Sequence, residues 1–246
     1  MQDPTAAADP SPTLLDALWA VVARHGWHGT TFARVAAESG ESLSELRARY
    51  ATPVDLLRAH ARAVDRFVLD GTVPDPDGTT PVRDRLFDLL MRRFDALAPH
   101  REGILRLQRD LMRDPISALA LSPILLASMA WTLEGAGVPT GGPAGVLRVH
   151  GLAGVWLDVS RTWAGDDSVD LGSTMAALDR ALDRADKVAR TLRLDAGEVP
   201  AVPSGATSVA DAPLMDDASP VPDNPPDALG PESPGEGPET AIRPPA

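Results

Sequence analysis

The chain has 246 residues, of which 43% are apolar and 24% charged, with no cysteine and a formal net charge of −12. The lack of cysteine excludes disulfide scaffolds, zinc ribbons, iron–sulfur sites and thiol catalysis. Residues 195–246 carry ten acids against Arg243 alone, so the preceding part is nearly neutral and its charge does not argue against nucleic-acid binding.

The first thirteen residues contain neither a basic cluster nor an apolar run. They do not resemble a secretory signal, and we therefore expect a cytoplasmic protein. Residues 115–133 form a stretch of nineteen residues without a charge, but the stretch contains Pro115 and Pro123 and lies between Asp114 and Glu134. We expect a buried helical segment there and no membrane span.

Apolar residues between positions 14 and 192 recur at spacings of three and four, without sustained alternation, which predicts an all-α fold. Ser11 followed by Pro12 has the pattern of an N-cap and a first helical proline, and Gly26 is a stop signal. The first helix is therefore predicted to lie between them.

The second and third helices are separated by a very short connection. Thr30 or Thr31 caps a helix that stops at Gly40, and Ser42 with Glu45 has the spacing of a capping box. Only a sharp change of direction fits between these two signals. This predicts a helix-turn-helix, in which the third helix has a free outer face that can enter a DNA major groove.

Thr52 followed by Pro53 repeats the cap signal and predicts a longer fourth helix that ends near Asp70 and Gly71. In the second half of the chain, helices are predicted from Thr80 to Pro99, from His100 to Arg113, from Ser122 and Pro123 to Ala136, from Pro143 to Ala164, and from Ser168 to Arg193.

Residues 30–50, TTFARVAAESGESLSELRARY, resemble the helix-turn-helix of the TetR family of bacterial regulators, and the detailed likeness covers about residues 13–60. The resemblance implies a three-helix DNA-binding domain at 11–70 and a helical ligand-binding and dimerisation domain at 80–194. It implies a partner, double-stranded DNA, and the following contact residues: Thr30, Thr31, Arg34, Ser42, Leu43, Ser44, Arg47 and Arg49.

Two positions depart from the family pattern. Arg47 stands where the family usually has an aromatic residue, and Pro53 where it has a lysine that contacts phosphate. Arg47 and Arg49 are able to contact phosphate or guanine, although solvated helix arginines are the usual state of this residue type. Glu41 and Glu45 near the same surface oppose the DNA field.

The last two predicted helices have apolar and small residues suited to a two-fold four-helix interface. The family resemblance implies a homodimer formed by this pair, and an intramolecular hairpin that buries the same faces is the alternative. The predicted interface residues are Val149, Trp156, Trp163, Leu171, Met175, Leu178 and Leu182.

The resemblance also implies a small apolar ligand between the middle helices of the second domain. Met and aromatic residues at helical spacing are more often core than pocket, and a lone histidine is more often structural. The candidate lining residues are Leu90, Phe94, Leu107, Gln108, Leu111, Leu126, Met129 and His150.

No enzyme is expected, and no catalytic residue, cofactor or metal site is assigned. The five histidines show no metal-ligand spacing, and the chain lacks the Gly-x-Ser-x-Gly, phosphate-loop and dinucleotide motifs.

Residues 195–246 are predicted to be a disordered tail, because the segment is acidic, proline-rich and poor in apolar residues. It is interpreted as a solubilising extension. An acidic arm that competes with DNA phosphates for arginines is the alternative.

A rival family resemblance comes from residues 163–171 and 175–178. They are similar to the closing helices of TetR-fold lipid-binding proteins that assist ubiquinone biosynthesis and do not bind DNA. That group ends in an amphipathic membrane helix, whereas this chain ends in prolines and acids. The regulator interpretation is therefore placed first.

Overall fold

The structure is a computed structural model that describes residues 10–72 and 79–192. All regular elements in this part are helical, as predicted: α1 Pro12–His25, α2 Phe32–Ser39, α3 Leu43–Arg49, α4 Pro53–Asp70, α5 Val82–Leu97, a 3₁₀ helix Ala98–His100, α6 Arg101–Arg113, α7 Pro115–Gly135, α8 Gly142–Trp163 and α9 Gly172–Thr191. The predicted tail lies outside the described residues.

The first helices begin and end at the predicted signals. Ser11 Oγ accepts a hydrogen bond from the Leu14 amide at 3.2 Å, and Gly26 ends α1 with a φ of 70°. The Thr52 amide donates to Asp55 Oδ2 at 2.9 Å at the start of α4. These bonds satisfy amide groups that a helix terminus leaves without an internal partner.

The predicted helix start at Ser122 and Pro123 is wrong. α7 runs unbroken through Pro123, and the carboxylate of Asp114 caps it eight residues before Ser122 by accepting from two first-turn amides. Proline offers no N–H to the carbonyl of Leu119, and Ser122 Oγ donates to that oxygen at 2.8 Å instead. The helix therefore continues past the proline.

The last helix also starts later than predicted, at Gly172 instead of Ser168. Leu171 precedes it with a left-handed φ of 51°. Asp166 Oδ2 accepts from the amide of Thr174 at 2.8 Å and from its hydroxyl at 2.7 Å. A carboxylate eight residues away thus caps the first turn of α9, across a loop that the periodicity had assigned to the helix.

The predicted domains 11–70 and 80–194 share one apolar core. α1 packs against α2 and α6, α4 packs against α5 and α7, and α8 packs against α9. Leu18, Leu56, Phe94 and Leu178 are fully buried members of the same cluster. The two groups of helices, called below the N-terminal half (10–72) and the C-terminal half (79–192), therefore share one core.

A buried ion pair joins the two halves. Asp65 of α4 binds Arg93 of α5, and both side chains are at least nine-tenths buried. Ser128 Oγ donates to Asp65 Oδ2 at 2.9 Å, and Arg93 Nη2 donates to Thr132 Oγ1 at 3.3 Å. The Arg93 guanidinium lies 5.9 Å from the centre of the Trp156 ring. Four helices are held by this one polar cluster.

α7 is less buried than its uncharged sequence led us to expect. Among the described residues it is the helix long and apolar enough to cross a membrane, and 28% of its most apolar window is buried. Ile116, Leu119 and Trp131 are 81%, 75% and 58% exposed. The expectation of a buried segment is therefore wrong for this face, since α7 is apolar on its outer side as well as its inner side.

Replacing Arg93 with methionine should lower the free energy of unfolding by about 3–5 kcal/mol, because the Asp65 carboxylate would stay buried without a cation. Denaturant unfolding at pH 7 measures the change. Arg190→Met, which breaks the exposed pair with Asp186, is the matched control and should cost less than about 1 kcal/mol. Equal losses in the two variants would contradict the assigned role of the buried pair.

Candidate nucleic-acid interface

Thr31 begins α2, and Gly40 ends it at the sharp connection to α3. Thr31 Oγ1 accepts from the Arg34 amide at 3.4 Å and caps α2. Gly40 ends α2 with a φ of 77°, and its amide donates to the Ala36 carbonyl at 2.9 Å. A left-handed φ of this kind suits glycine, which has no Cβ to clash with the backbone. The chain therefore reverses at the position that the sequence indicated.

The predicted capping box at the start of α3 is confirmed. Ser42 Oγ accepts from the Glu45 amide at 3.2 Å, and the Ser42 amide donates to Glu45 Oε2 at 2.9 Å. The hydrogen bonds from the backbone and hydroxyl of Ser42 lower the pKa of Glu45. The Glu45 charge is thus tied to the N-terminus of α3, where the helix dipole favours an anion.

The inner face of α3 is small. Leu46 is completely buried and Tyr50 nearly so, against Val35 and Ala36 of α2. The rest of α3 faces solvent, and the predicted contact residues that remain exposed are Thr31, Arg34, Ser42, Leu43, Ser44 and Arg47. A short helix with one anchored face and one open face is what insertion into a DNA groove requires.

Two predicted contact residues are not available on this surface. Thr30 is buried, and its hydroxyl donates to the Gly26 carbonyl at 2.9 Å, which closes the turn between α1 and α2. Arg49 pairs with Glu41, and its guanidinium lies 5.5 Å from the centre of the Tyr50 ring. Both assignments are corrected here, because each side chain is engaged within the protein.

Arg49 also changes the electrostatics of the surface. Glu41, expected to repel DNA, is neutralised by Arg49, and Glu38 is paired with Arg24 of α1. Arg47 is exposed and makes no hydrogen bond or ion pair with any residue in the described part of the chain. The sequence did not show these cross-helix pairs, because their partners are eight and fourteen positions apart. Arg47 is therefore an exposed arginine near acidic side chains that are already paired within the protein.

The predicted ligand residues lie in different surroundings. Leu90, Phe94 and Met129 are fully buried, and the Phe94 ring stacks on Trp156 with centres 4.5 Å apart. Leu107 is buried, and Gln108, Leu111 and Leu126 are half-buried. His150 is exposed on α8, where Nδ1 lies 2.8 Å from the Val146 carbonyl. The ligand assignment is therefore corrected: the apolar members are core residues and His150 faces solvent.

A groove of about 640 Å³ lies elsewhere, between α5, α8 and α9. We call it the α8–α9 groove. None of the eight predicted ligand residues lines it. Its charged side chains are already bonded within the chain: Arg83 to Asp179 and Asp183, and Arg184 to Asp158 at 2.9 Å. The apolar lining residues include Leu86, Leu133, Val138, Leu147, Leu152, Val155, Leu182 and Val188.

The predicted dimer residues point mostly into their own chain. Five are buried in the single chain, namely Val149, Trp156, Trp163, Leu178 and Leu182, while Leu171 and Met175 are half-buried. The burial of these five residues agrees with the alternative of an intramolecular hairpin. Their assignment to a dimer interface is therefore corrected. The outer face of α8 has a different apolar and small set, which is Val146, Leu147, Gly151, Gly154 and Leu157.

Comparison with known proteins gives a likeness of fold. No protein-family model and no curated protein sequence matches the chain. A solved structure of a TetR transcriptional regulator from Nitrosomonas europaea superposes with a TM-score of 0.55 at 19% identity, covering 71% of this chain and 96% of that chain. The fold is therefore TetR-like, and at this identity the likeness concerns the fold alone.

Ser42→Ala should lower the free energy of unfolding by about 1 kcal/mol, because the first turn of α3 loses its cap. Thermal unfolding and hydrogen exchange of the α3 amides measure the effect. Ser173→Ala, at an exposed serine in the first turn of α9, is the matched control with a smaller expected loss. An unchanged α3 in the Ser42 variant would show that the capping box does not hold the turn.

Proposed function

We propose that the protein is a TetR-like transcriptional regulator, acting as a repressor, that binds double-stranded DNA with α3 in the major groove. The observation that carries the proposal is the seating of α3. One buried leucine, Leu46, and Tyr50 anchor the helix, while Leu43, Ser44 and Arg47 face outward. Exposed hydroxyl, apolar and arginine side chains on such a helix are able to contact base edges and phosphates.

The charge of this region is compatible with DNA. The three acids nearest the turn are each engaged, with Glu38 and Glu41 in ion pairs and Glu45 in the helix cap. Arg34 and Arg47 extend from the same segment, and Arg34 donates to the Gly29 carbonyl. Pro53, half-buried at the start of α4, supplies no phosphate contact. Binding by a single copy is therefore expected to be weak and strongly salt-dependent.

Arg47→Ala should weaken binding to a specific site by about 1–3 kcal/mol, or roughly 5- to 150-fold, because a base or phosphate contact is lost. Gel shift with DNA from upstream of the protein's own gene, at low salt, measures it. Arg113→Ala, exposed at the end of α6, is the matched control and should bind as the wild type does. Absence of any shift by the wild type at low salt would contradict the proposal as a whole.

The proposed active form is a homodimer that joins through the outer faces of α8 and α9. Gly151 and Gly154 have no heavy atom within 4 Å of where a Cβ would lie, so a partner helix has room to approach the α8 backbone closely. Leu147, Leu157 and Val188 are about half exposed beside them. An isologous contact of this kind would place two copies of α3 on one duplex.

Leu147→Glu should raise the dimer dissociation constant by at least tenfold, because a carboxylate would be buried between two copies without a partner. Sedimentation equilibrium measures the constant. Leu119→Glu, on the exposed face of α7, is a matched control of the same chemistry and should leave it unchanged. A reversal of these two results would move the interface to α7.

The α8–α9 groove is also the proposed site for a small, neutral apolar ligand. Its volume of about 640 Å³ lies within the range typical of small-molecule sites, and its lining is largely aliphatic. Leu147, Gly151, Gly154 and Val188 line the groove and belong to the proposed interface, so a ligand bound there would compete with the partner copy. No enzymatic step is proposed, and the protein is proposed to act in the cytoplasm.

A second candidate function is a TetR-fold lipid-binding protein without DNA binding. The exposed apolar face of α7, with Ile116, Leu119 and Trp131, and the proline at position 53 favour it. Extraction and mass spectrometry of a co-purified isoprenoid or phospholipid, together with no gel shift, would support this candidate over the regulator.

A further inference from the structure

Three ring side chains meet where the N-terminal half contacts the beginning of α6. His60 of α4 packs edge to face against Trp19 of α1, with ring centres 5.2 Å apart, and against His100 of the 3₁₀ helix at 5.4 Å. Trp19 and His100 are stacked at 6.2 Å. We call these three residues the imidazole joint, because they link two helices of the N-terminal half to the C-terminal half.

The imidazole joint contains ring nitrogens without partners. Both nitrogens of His60, Nε1 of Trp19 and Nδ1 of His100 are buried and make no hydrogen bond. His60 is 5% exposed and Trp19 is 4% exposed. Buried polar atoms are almost always satisfied in folded proteins, so four unsatisfied nitrogens in one place need an explanation.

The rings lie at a close approach between α1 and α6. A Cβ at Gly103 of α6 would be 2.6 Å from the carbonyl oxygen of Trp19 and 2.9 Å from its ring. Any residue larger than glycine would require a shift of the neighbouring atoms at this position. The α1–α6 contact is therefore a closed packing, in which Trp19 is held between α6 on one side and His60 on the other.

Polar contacts fasten the same interface at its edges. His100 Nε2 lies 2.9 Å from Asp16 Oδ1 of α1, and His28 Nε2 lies 3.0 Å from Asp114 Oδ2 at the end of α6. Asp110 of α6 accepts from the Trp27 amide at 2.8 Å. The N-terminal half is thus seated on α6 by two imidazole–carboxylate pairs, with His60 buried behind them.

A proton on His60 would be unfavourable in the closed structure. The groups that act on it from neighbouring elements are His100 and Arg93 of α5, and both oppose a positive charge. The carboxylate of Asp65 on α4 is bound to Arg93, and that of Asp16 on α1 faces His100 Nε2. Burial, His100 and Arg93 lower the pKa of His60 to about 3, from 6.5 in an open chain.

We propose that the imidazole joint makes the packing of the N-terminal half sensitive to protons. A proton on His60 separates α4 from α1 and the 3₁₀ helix and releases the helix-turn-helix from α6. The closed state is favoured fully above pH 6.5. Below that pH, His60 is protonated in the open state and neutral in the closed state. Each further decrease of one pH unit therefore raises the open-to-closed ratio by up to about tenfold. The proposal does not depend on DNA binding.

The test is hydrogen–deuterium exchange of the full chain at pH 7.5 and pH 5.0, with rates corrected for the intrinsic pH dependence. Protection of α1 and α4 should fall about 30-fold between these values, which is the ratio expected for a group with an open-state pKa of 6.5. Protection of α8 and α9 should stay unchanged. A fall of less than threefold in α1 and α4, or an equal fall in α8 and α9, would overturn the proposal.

Two variants assign the effect to His60. His60→Phe keeps an aromatic ring but has no titratable nitrogen, and it should lose the acid-dependent opening. His150→Gln, which removes the exposed histidine of α8, is the matched control and should open as the wild type does. Acid-dependent opening of the same size in the His60 variant would overturn the proposal.

A measurement on the wild type decides the matter if His60→Phe does not fold. Nitrogen-15 NMR of the histidine rings should show His60 neutral for as long as α1 and α4 remain protected. Uptake of a proton by His60 with α1 and α4 still protected would overturn the proposal.

Discussion

The ion pair between Asp65 and Arg93 fixes the position of α4, on which the rest of the structure depends. A buried carboxylate and guanidinium tolerate little displacement, because each is stable only while the other is in place. Ser128 and Thr132 of α7 complete the arrangement by hydrogen bonds. The register of α4 against α5 and α7 is therefore set by polar chemistry, and the remaining helices of the N-terminal half pack against a fixed support.

From α4 the constraint passes to α3 and its exposed face by apolar packing. α4 presents His60 to Trp19 of α1, α1 packs against α2, and α2 holds α3 through Leu46. Each step is a contact between buried side chains, and such contacts resist gradual deformation. The orientation of a seven-residue helix at one end of the molecule is thus linked to buried charges and rings near its middle.

Features encoded within a few residues were predictable from the sequence. Ser11, Thr31 and Ser42 cap helices as expected, and Gly26 and Gly40 end them, because a cap needs only a side-chain oxygen and nearby amides. Features that depend on distant partners were not. Arg49 turns inward to Glu41 and Arg24 pairs with Glu38, across eight and fourteen positions of the chain. The apolar stripes of α8 and α9 were predicted from the sequence. The side of each helix that faces the core was not, because periodicity identifies an apolar face but not the element that packs against it.

The small anchor of α3 has an evolutionary consequence. Only Leu46 and Tyr50 are committed to the interior, and the cap residues Ser42 and Glu45 set where the helix begins. The outward positions 43, 44 and 47 contribute little to folding, so they are free to accept substitutions that a core position would reject. Descendants of this chain are thus able to change the chemistry of this exposed face by three substitutions, while the scaffold that presents it is inherited intact.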